Sequence, residues 1–191
     1  MNYISIDIET TGLDPQRDQI LEFAAVVDDF ETPIDNLPVF QRLIRRDRVH
    51  GNPFAISMNA LILKEMANST IGYCGIQQTR GCVAEDQLLY QFAAWLKMLS
   101  LPEMNLKIAG HNASGFDVQF IKRLPGYGEV VQFHHRVLDV GSIYFQPEDH
   151  ELPATQKCLT RAGLSGTLEH RAVPDALNAV RLIRAKYGFP C

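Results

Sequence analysis

Apolar and polar residues alternate from the start of the chain. Ile4, Ile6 and Ile8 are interleaved with Ser5, Asp7 and Glu9, a period of two that predicts a β-strand over Tyr3–Glu9. Gln19–Phe30 (QILEFAAVVDDF) is rich in β-branched and aromatic residues and predicts a second strand. Val39–Arg46 (VFQRLIRR) predicts a third. Short polar turns join the three, which implies an antiparallel meander. The period then changes, with apolar residues at helical spacing over Pro53–Met66 and Glu85–Leu99. A short strand follows at Leu106–Gly110, then a helix over Ser114–Leu124, a strand at Arg136–Val140, and helices over Pro153–Ala162 and Ala172–Tyr187. Three antiparallel strands followed by alternating helices and strands give an α/β fold: a mixed five-stranded sheet, three strands antiparallel and two parallel, with helices on both faces. Thr70–Ala84 has no period and predicts a long surface loop, a type of segment that is often functional.

The 191 residues are expected to form one domain, 1–191, large enough to bury a good core. Hydrophobic content of 46% beside 21% charged residues fits a soluble globular chain. No apolar run approaches the roughly 18–20 residues a membrane span needs, and the N-terminus lacks the basic region and cleavage site of a signal peptide. Cys74, Cys82, Cys158 and Cys191 show neither CxxC spacing nor a dense framework, so reduced thiols and a cytoplasmic location are expected. A Cys74–Cys82 pair or shared metal stays open beside two unconnected thiols. The net charge of −4 argues against a protein that coats long duplexes. It leaves nucleic acid open as a substrate, because bound cations supply positive charge locally.

Asp7 and Glu9 leave the same face of the first strand, opposite the isoleucines. Two adjacent carboxylates repel each other and resist desolvation unless a cation compensates them, and hard oxygen ligands suit Mg²⁺ or Mn²⁺. A bland alternative is a solvated strand end that caps the next turn. Further carboxylates follow downstream. Asp117 falls in the first turn of a predicted helix, after His111-Asn112-Ala113-Ser114-Gly115-Phe116, and Asp175 falls near the start of the last helix, five residues after His170. Taken singly, each of these is a helix-start carboxylate and His170 a loop residue.

Together the motifs Asp7-Ile8-Glu9-Thr10-Thr11-Gly12-Leu13, His111-Asn112 with Phe116-Asp117, and His170 with Asp175 resemble the three motifs of the DEDDh 3′→5′ exonucleases. That family includes ribonuclease T, oligoribonuclease and the proofreading subunits of bacterial replicative polymerases. The resemblance implies a ribonuclease H-like fold, hydrolysis of single-stranded DNA or RNA from a free 3′ end, and release of nucleoside 5′-monophosphates. It implies two divalent cations, Mg²⁺ or Mn²⁺. Asp7, Glu9 and Asp175 would hold one ion, and Asp7 would touch the second with help from Asp117. A pair of cations about 4 Å apart stabilises the attacking and leaving oxygens at phosphorus. His170 would be the general base, since an imidazole titrates near working pH. By the same resemblance Thr10 and Thr11 would offer backbone and hydroxyl groups to the terminal nucleotide, and Leu13 would press on its base. Asn112 would orient the Asp117 loop, and Phe116 stays open between core packing and a base contact.

Three residues separate His-Asn from Phe-Asp, one more than in many members, as in the oligoribonuclease and animal repair-exonuclease branches. Asp139, in a strand end that looks like oligoribonuclease, is expected to support the site from behind. Arg42, Arg45, Arg46 and Arg48 read as a solvated strand edge, with a phosphate-guiding role as the alternative. His134 and His135 read as surface residues on opposite faces of a strand. Arg80, in the predicted loop, is a weaker phosphate contact, and Tyr73 has no assigned role. A homodimer is possible by analogy with relatives, although no segment demonstrates an interface. Three other readings remain: a catalytically silent nucleic-acid-binding module, a polymerase proofreading subunit, and a ribonuclease H-like endonuclease or integrase. The chain ends at Cys191 with no tail to tether a polymerase, which favours a free-standing enzyme.

Overall fold

The alternation at the N-terminus yields β1 (Tyr3–Thr10), whose isoleucines enter the core while its polar face carries the acidic residues. The computed structural model describes residues 2–68, 81–166 and 170–191. Among these, β1 pairs antiparallel with β2 (Ile20–Asp28), and β2 with β3 (Val39–Ile44). On its other edge β1 pairs parallel with β5 (Ile108–Gly110), and β5 with β6 (Leu138–Asp139). The fold class is the expected mixed α/β one, with one strand more. β4 (Cys82–Val83) runs parallel to β3 and gives the order β4-β3-β2-β1-β5-β6. Two residues are too few to show an alternation. Backbone bonds from Leu43 N to Gly81 O (2.9 Å) and Arg45 N to Val83 O (2.7 Å) fix the strand instead.

That extra strand removes β3 from the edge and corrects the reading of its arginines. Arg42 is fully buried, with its guanidinium 4.5 Å from the Phe40 ring centroid and Nε donating to Gln91. Arg46 donates to Ile20 O and Glu85, while Arg45 and Arg48 are exposed. Only the last two match a solvated edge.

Two cores flank the sheet. On the isoleucine face Ile4, Ile6 and Ile8 pack with Phe23, Phe40, Phe92 and Trp95, the last two from α3 (Leu88–Met98). The Phe92 ring lies 5.3 Å from both Phe23 and Phe40. Full burial of each such side chain contributes about 1.5–3 kcal/mol. On the other face lies α7 (Ala172–Tyr187), whose Ala172, Ala176, Ala179 and Ile183 recur at helical spacing. These small residues bring it close enough for Ser5 Oγ to donate to Ala176 O at 2.8 Å.

The single helix expected over Pro53–Met66 is two, α1 (Pro53–Met58) and α2 (Ala60–Asn68). Asn59 interrupts them. Its side chain donates to Thr10 O (3.0 Å) and Ala55 O, competing with helix geometry and tying the end of β1 to the pair. The helix expected over Ser114–Leu124 is the shorter α4 (Asp117–Ile121), since Asn112 O accepts from Gly115 N and Phe116 N in a turn before it. A four-residue α5 (Val140–Ile143) was too short to read from periodicity, and α6 (Thr155–Ala162) ends at Gly163 in the left-handed conformation (φ 68°). Among the described residues no helix is long and apolar enough to cross a membrane.

Candidate active site

The sheet and α7 bring the acidic residues of distant motifs together. Asp7 and Glu9 lie on the face of β1 that α7 crosses, and the first turn of α7 presents Asp175. One carboxylate oxygen from each of the three lies within 4.8 Å of the others. Asp117 opens α4 and is almost fully buried, with Oδ1 accepting from Ile8 N at 3.0 Å. This bond is available because β5 pairs only with Ile4 and Ser5 and leaves the edge of β1 open at Ile8. Four carboxylates thus converge from β1, α4 and α7.

Their electrostatics are those of buried carboxylates under mutual repulsion. Burial first, then the charges of Asp117, Glu9 and Asp175, pushes the Asp7 carboxyl well above the usual carboxylate range. Burial, Asp175 and Glu22 push Glu9 up to about 8, against a smaller opposing pull from Arg171. Burial raises Asp117 to about 7, although hydrogen bonds from its own amide and from Ile8 N–H oppose the rise. A set of hard oxygen donors under mutual repulsion fits a divalent cation.

The residues around this cluster divide into two groups. His170 is exposed with φ at 49°, directly before Arg171, the cap of α7. Leu13 is 83% exposed at the tip of the turn after β1. The hydroxyls of Thr10 and Thr11 differ from expectation. Thr10 Oγ1 donates to Gly12 O (2.6 Å) and Thr11 Oγ1 accepts from Gln19 N (2.8 Å), so both serve the turn itself. Asn112 also sits at positive φ (54°), and its backbone N donates to Asp139 Oδ2 at 2.6 Å. Asp139 Oδ1 caps α5 through Ser142, so this carboxylate braces the His111–Asn112 turn. Behind Asp7 and Asp175 a cavity of about 170 Å³ is also lined by His111 and Thr155. Phe116 is half-buried against Phe120, with ring centroids 5.1 Å apart.

Two groups escaped the sequence. Glu22 lies directly across from Glu9 in the β1–β2 register, and Arg171 reaches it from the head of α7. Glu22 read as an ordinary strand position. The signal that marks it is an acid set inside the apolar run of the strand, away from its ends.

The RNase_T family model, described as "Exonuclease", matches residues 4–183. The chain belongs to this exonuclease family. Membership places it among the DEDD 3′→5′ exonucleases, divalent-metal-dependent hydrolases with a ribonuclease H-like fold. Similar relatives include an oligoribonuclease of Photorhabdus laumondii subsp. laumondii, 28% identical over 183 residues, which are 94% of this chain and 90% of that one. An oligoribonuclease of Vibrio cholerae serotype O1 is 31% identical over 151 residues, 74% of this chain and 72% of its own. Among solved structures, E. coli Exonuclease I in complex with a dT13 oligonucleotide matches 97% of this chain with a TM-score of 0.63 and 18% identity. That likeness concerns the fold, and the chain spans 40% of the length of the Exonuclease I chain.

Within this exonuclease fold, His134 and His135 are not the opposed strand residues expected. They precede β6, and their rings lie side by side with centroids 4.3 Å apart. Tyr73, Cys74 and Arg80 fall outside the described residues, as does most of the loop expected over Thr70–Ala84.

Proposed function

We propose that the protein removes nucleoside 5′-monophosphates stepwise from the 3′ end of single-stranded DNA or RNA, with short oligonucleotides among its substrates. The convergence of Asp7, Glu9 and Asp175, with Asp117 bonded to the backbone of Ile8, carries this reading. Two Mg²⁺ or Mn²⁺ ions, held by Asp7, Glu9, Asp175 and Asp117, would supply positive charge to the attacking and leaving oxygens at phosphorus. His170 takes the proton from the attacking water and passes it to solvent, to which its ring is exposed. Leu13 contacts the base of the terminal nucleotide, an apolar contact that does not depend on sequence. Asn112 and Asp139 hold the turn that leads into Asp117. Four cysteines without a disulfide framework support a cytoplasmic setting.

The test uses 5′-labelled DNA and RNA, from dinucleotides to long single strands, with Mn²⁺ or with chelator. The expected result is a ladder shortening from the 3′ end that vanishes in chelator. His170→Ala should bind Mn²⁺ as the native protein does and turn over about 10²–10⁴-fold more slowly. Binding without turnover would indicate a recognition module, and cleavage of a circular single strand an endonuclease. Either result would overturn the proposal.

A further inference from the structure

The segment that carries His170 is anchored by charges that none of the motifs contain. Arg171 lies between two carboxylates from different elements. Its Nε donates to Glu22 Oε2 and its Nη2 to Glu22 Oε1, both at 3.1 Å. The outer edge of the same guanidinium reaches Glu65 of α2, with Nη1 3.0 Å from Oε1 and Nη2 3.1 Å from Oε2. Glu22 is fully buried and also accepts from Ala172 N (3.1 Å), the first amide of α7, and from the Gln41 side chain. Strand β2, helix α2 and the head of α7 therefore meet at one planar cation.

This arrangement is more specific than structural cohesion requires. A guanidinium that binds two carboxylates through paired hydrogen bonds fixes its own plane, which an ammonium cannot do. The residue immediately before it is His170, at φ 49° in the left-handed region that residues other than glycine seldom adopt. A non-glycine residue keeps that conformation only when its surroundings determine it, and Arg171 is its anchored neighbour. Glu22 also stands directly opposite Glu9 on β1, so the clamp refers the histidine to the strand that presents Asp7 and Glu9.

We infer that the Glu22–Arg171–Glu65 clamp is a positioning device, which sets the His170 imidazole over the carboxylate cluster without itself touching substrate. The inference rests on His170 as the general base. Arg171 is accordingly a positioning residue, with Glu65 as its outer support.

The experiment compares Arg171→Gln, Arg171→Lys, Glu65→Gln and His170→Ala, and combines the first with the last. Arg171→Gln should lower kcat by about 10²-fold, as misplacement of a reacting group does, and leave KM nearly unchanged. Arg171→Lys should recover part of that loss, and Glu65→Gln, which spares the buried half, should lose a few-fold. Calorimetric Mn²⁺ affinity of Arg171→Gln should not weaken, because the change removes a positive charge near Glu9. A general collapse of the head of α7 would weaken it through Asp175. In the His170→Ala background Arg171→Gln should cost nothing further. The His170 ring resonance, assigned by its loss in His170→Ala, should shift in Arg171→Gln and in Glu65→Gln. Native kcat with an unmoved resonance in both variants overturns the clamp, as does a loss that multiplies with that of His170→Ala. Native turnover by His170→Ala overturns the base assignment, whereas a slow His170→Ala beside native-like Arg171→Gln and Glu65→Gln overturns the clamp alone.

Discussion

Strand β1 and helix α7 enclose acidic groups at both ends of their contact, and the two ends are built in opposite ways. At one end lies Asp28, fully buried and saturated with donors. Arg184 Nε and Nη2 reach its carboxylate (3.2 and 2.5 Å to Oδ1), Tyr3 Oη donates at 2.7 Å, and Phe30 N at 2.9 Å. Burial raises the Asp28 carboxyl, but the Arg184 and Tyr3 hydrogen bonds outweigh it and hold the group below its ordinary value. Tyr3 of β1 pairs with Asp28 of β2, and four residues further along β1, roughly 13 Å at about 3.3 Å per residue, Asp7 faces other carboxylates and is pushed the other way. Identical chemistry in one layer thus serves two ends. Where an arginine of the chain saturates the carboxylate the group is structural, and where carboxylates face one another the site suits a cation from solution. Glu22 is intermediate, since Arg171 satisfies it although it sits beside Glu9.

The contrast can be broken at either end. Asp7→Asn should cut turnover by at least about 10³-fold, as loss of a preorganised charge at a reacting centre does. The same change should raise the melting temperature of the metal-free protein above neutral pH, because it removes repulsion. A lower melting temperature in chelator would show that Asp7 is structural after all. Arg184→Ala should do the reverse. It strands the Asp28 charge and should destabilise by about 3–5 kcal/mol in urea unfolding, with activity per folded molecule retained. A loss of activity without a loss of stability would erase the distinction between the ends.

The smallest effect sharpens it through pH. Glu9 has an ordinary value of 4.5 and rises to about 8 in the folded chain. Between those values the folded protein keeps a proton that the unfolded chain has released, so its stability falls as pH rises. Below 4.5 both states are protonated and above about 8 both are ionised, so the decline is confined to that window. Asp117 adds the same sign between 3.8 and about 7. Thermal melts in chelator should therefore show a falling melting temperature from mildly acid to mildly alkaline pH. Saturating Mn²⁺ should flatten that fall and raise the curve by mass action, about 2.7 kcal/mol at a hundred times Kd. A chelated protein that gains stability across the window would contradict the clustering of the acids.

Most of the regular elements were legible because burial imposes a period. The isoleucines of β1, the apolar run of β2 and the alanine stripe of α7 each repeat at the spacing of one buried face. Short or interrupted elements were not. β4 is held by backbone bonds to distant β3 and α5 by its Asp139 cap rather than by a buried face, and the break at Asn59 depends on its reach to Thr10 O. Arg42 looks like a surface charge in sequence and is buried, with Gln91 of α3 and the Phe40 ring against its guanidinium.

The sequence by itself determined the candidates for chemistry: Asp7, Glu9, Asp117, His170 and Asp175 stand out by type and local spacing, since carboxylates repelling on one strand face have few structural uses. Only the tertiary structure decided how the carboxylates meet. The oxygens of Asp7, Glu9 and Asp175 come within 4.8 Å because α7 folds back across β1, and the head of α7 is held there by Glu22, Arg171 and Glu65. Those contacts span 106 to 150 residues of chain. No local pattern encodes them, because ion pairing between distant residues depends on where packing places the two partners rather than on their spacing in the chain.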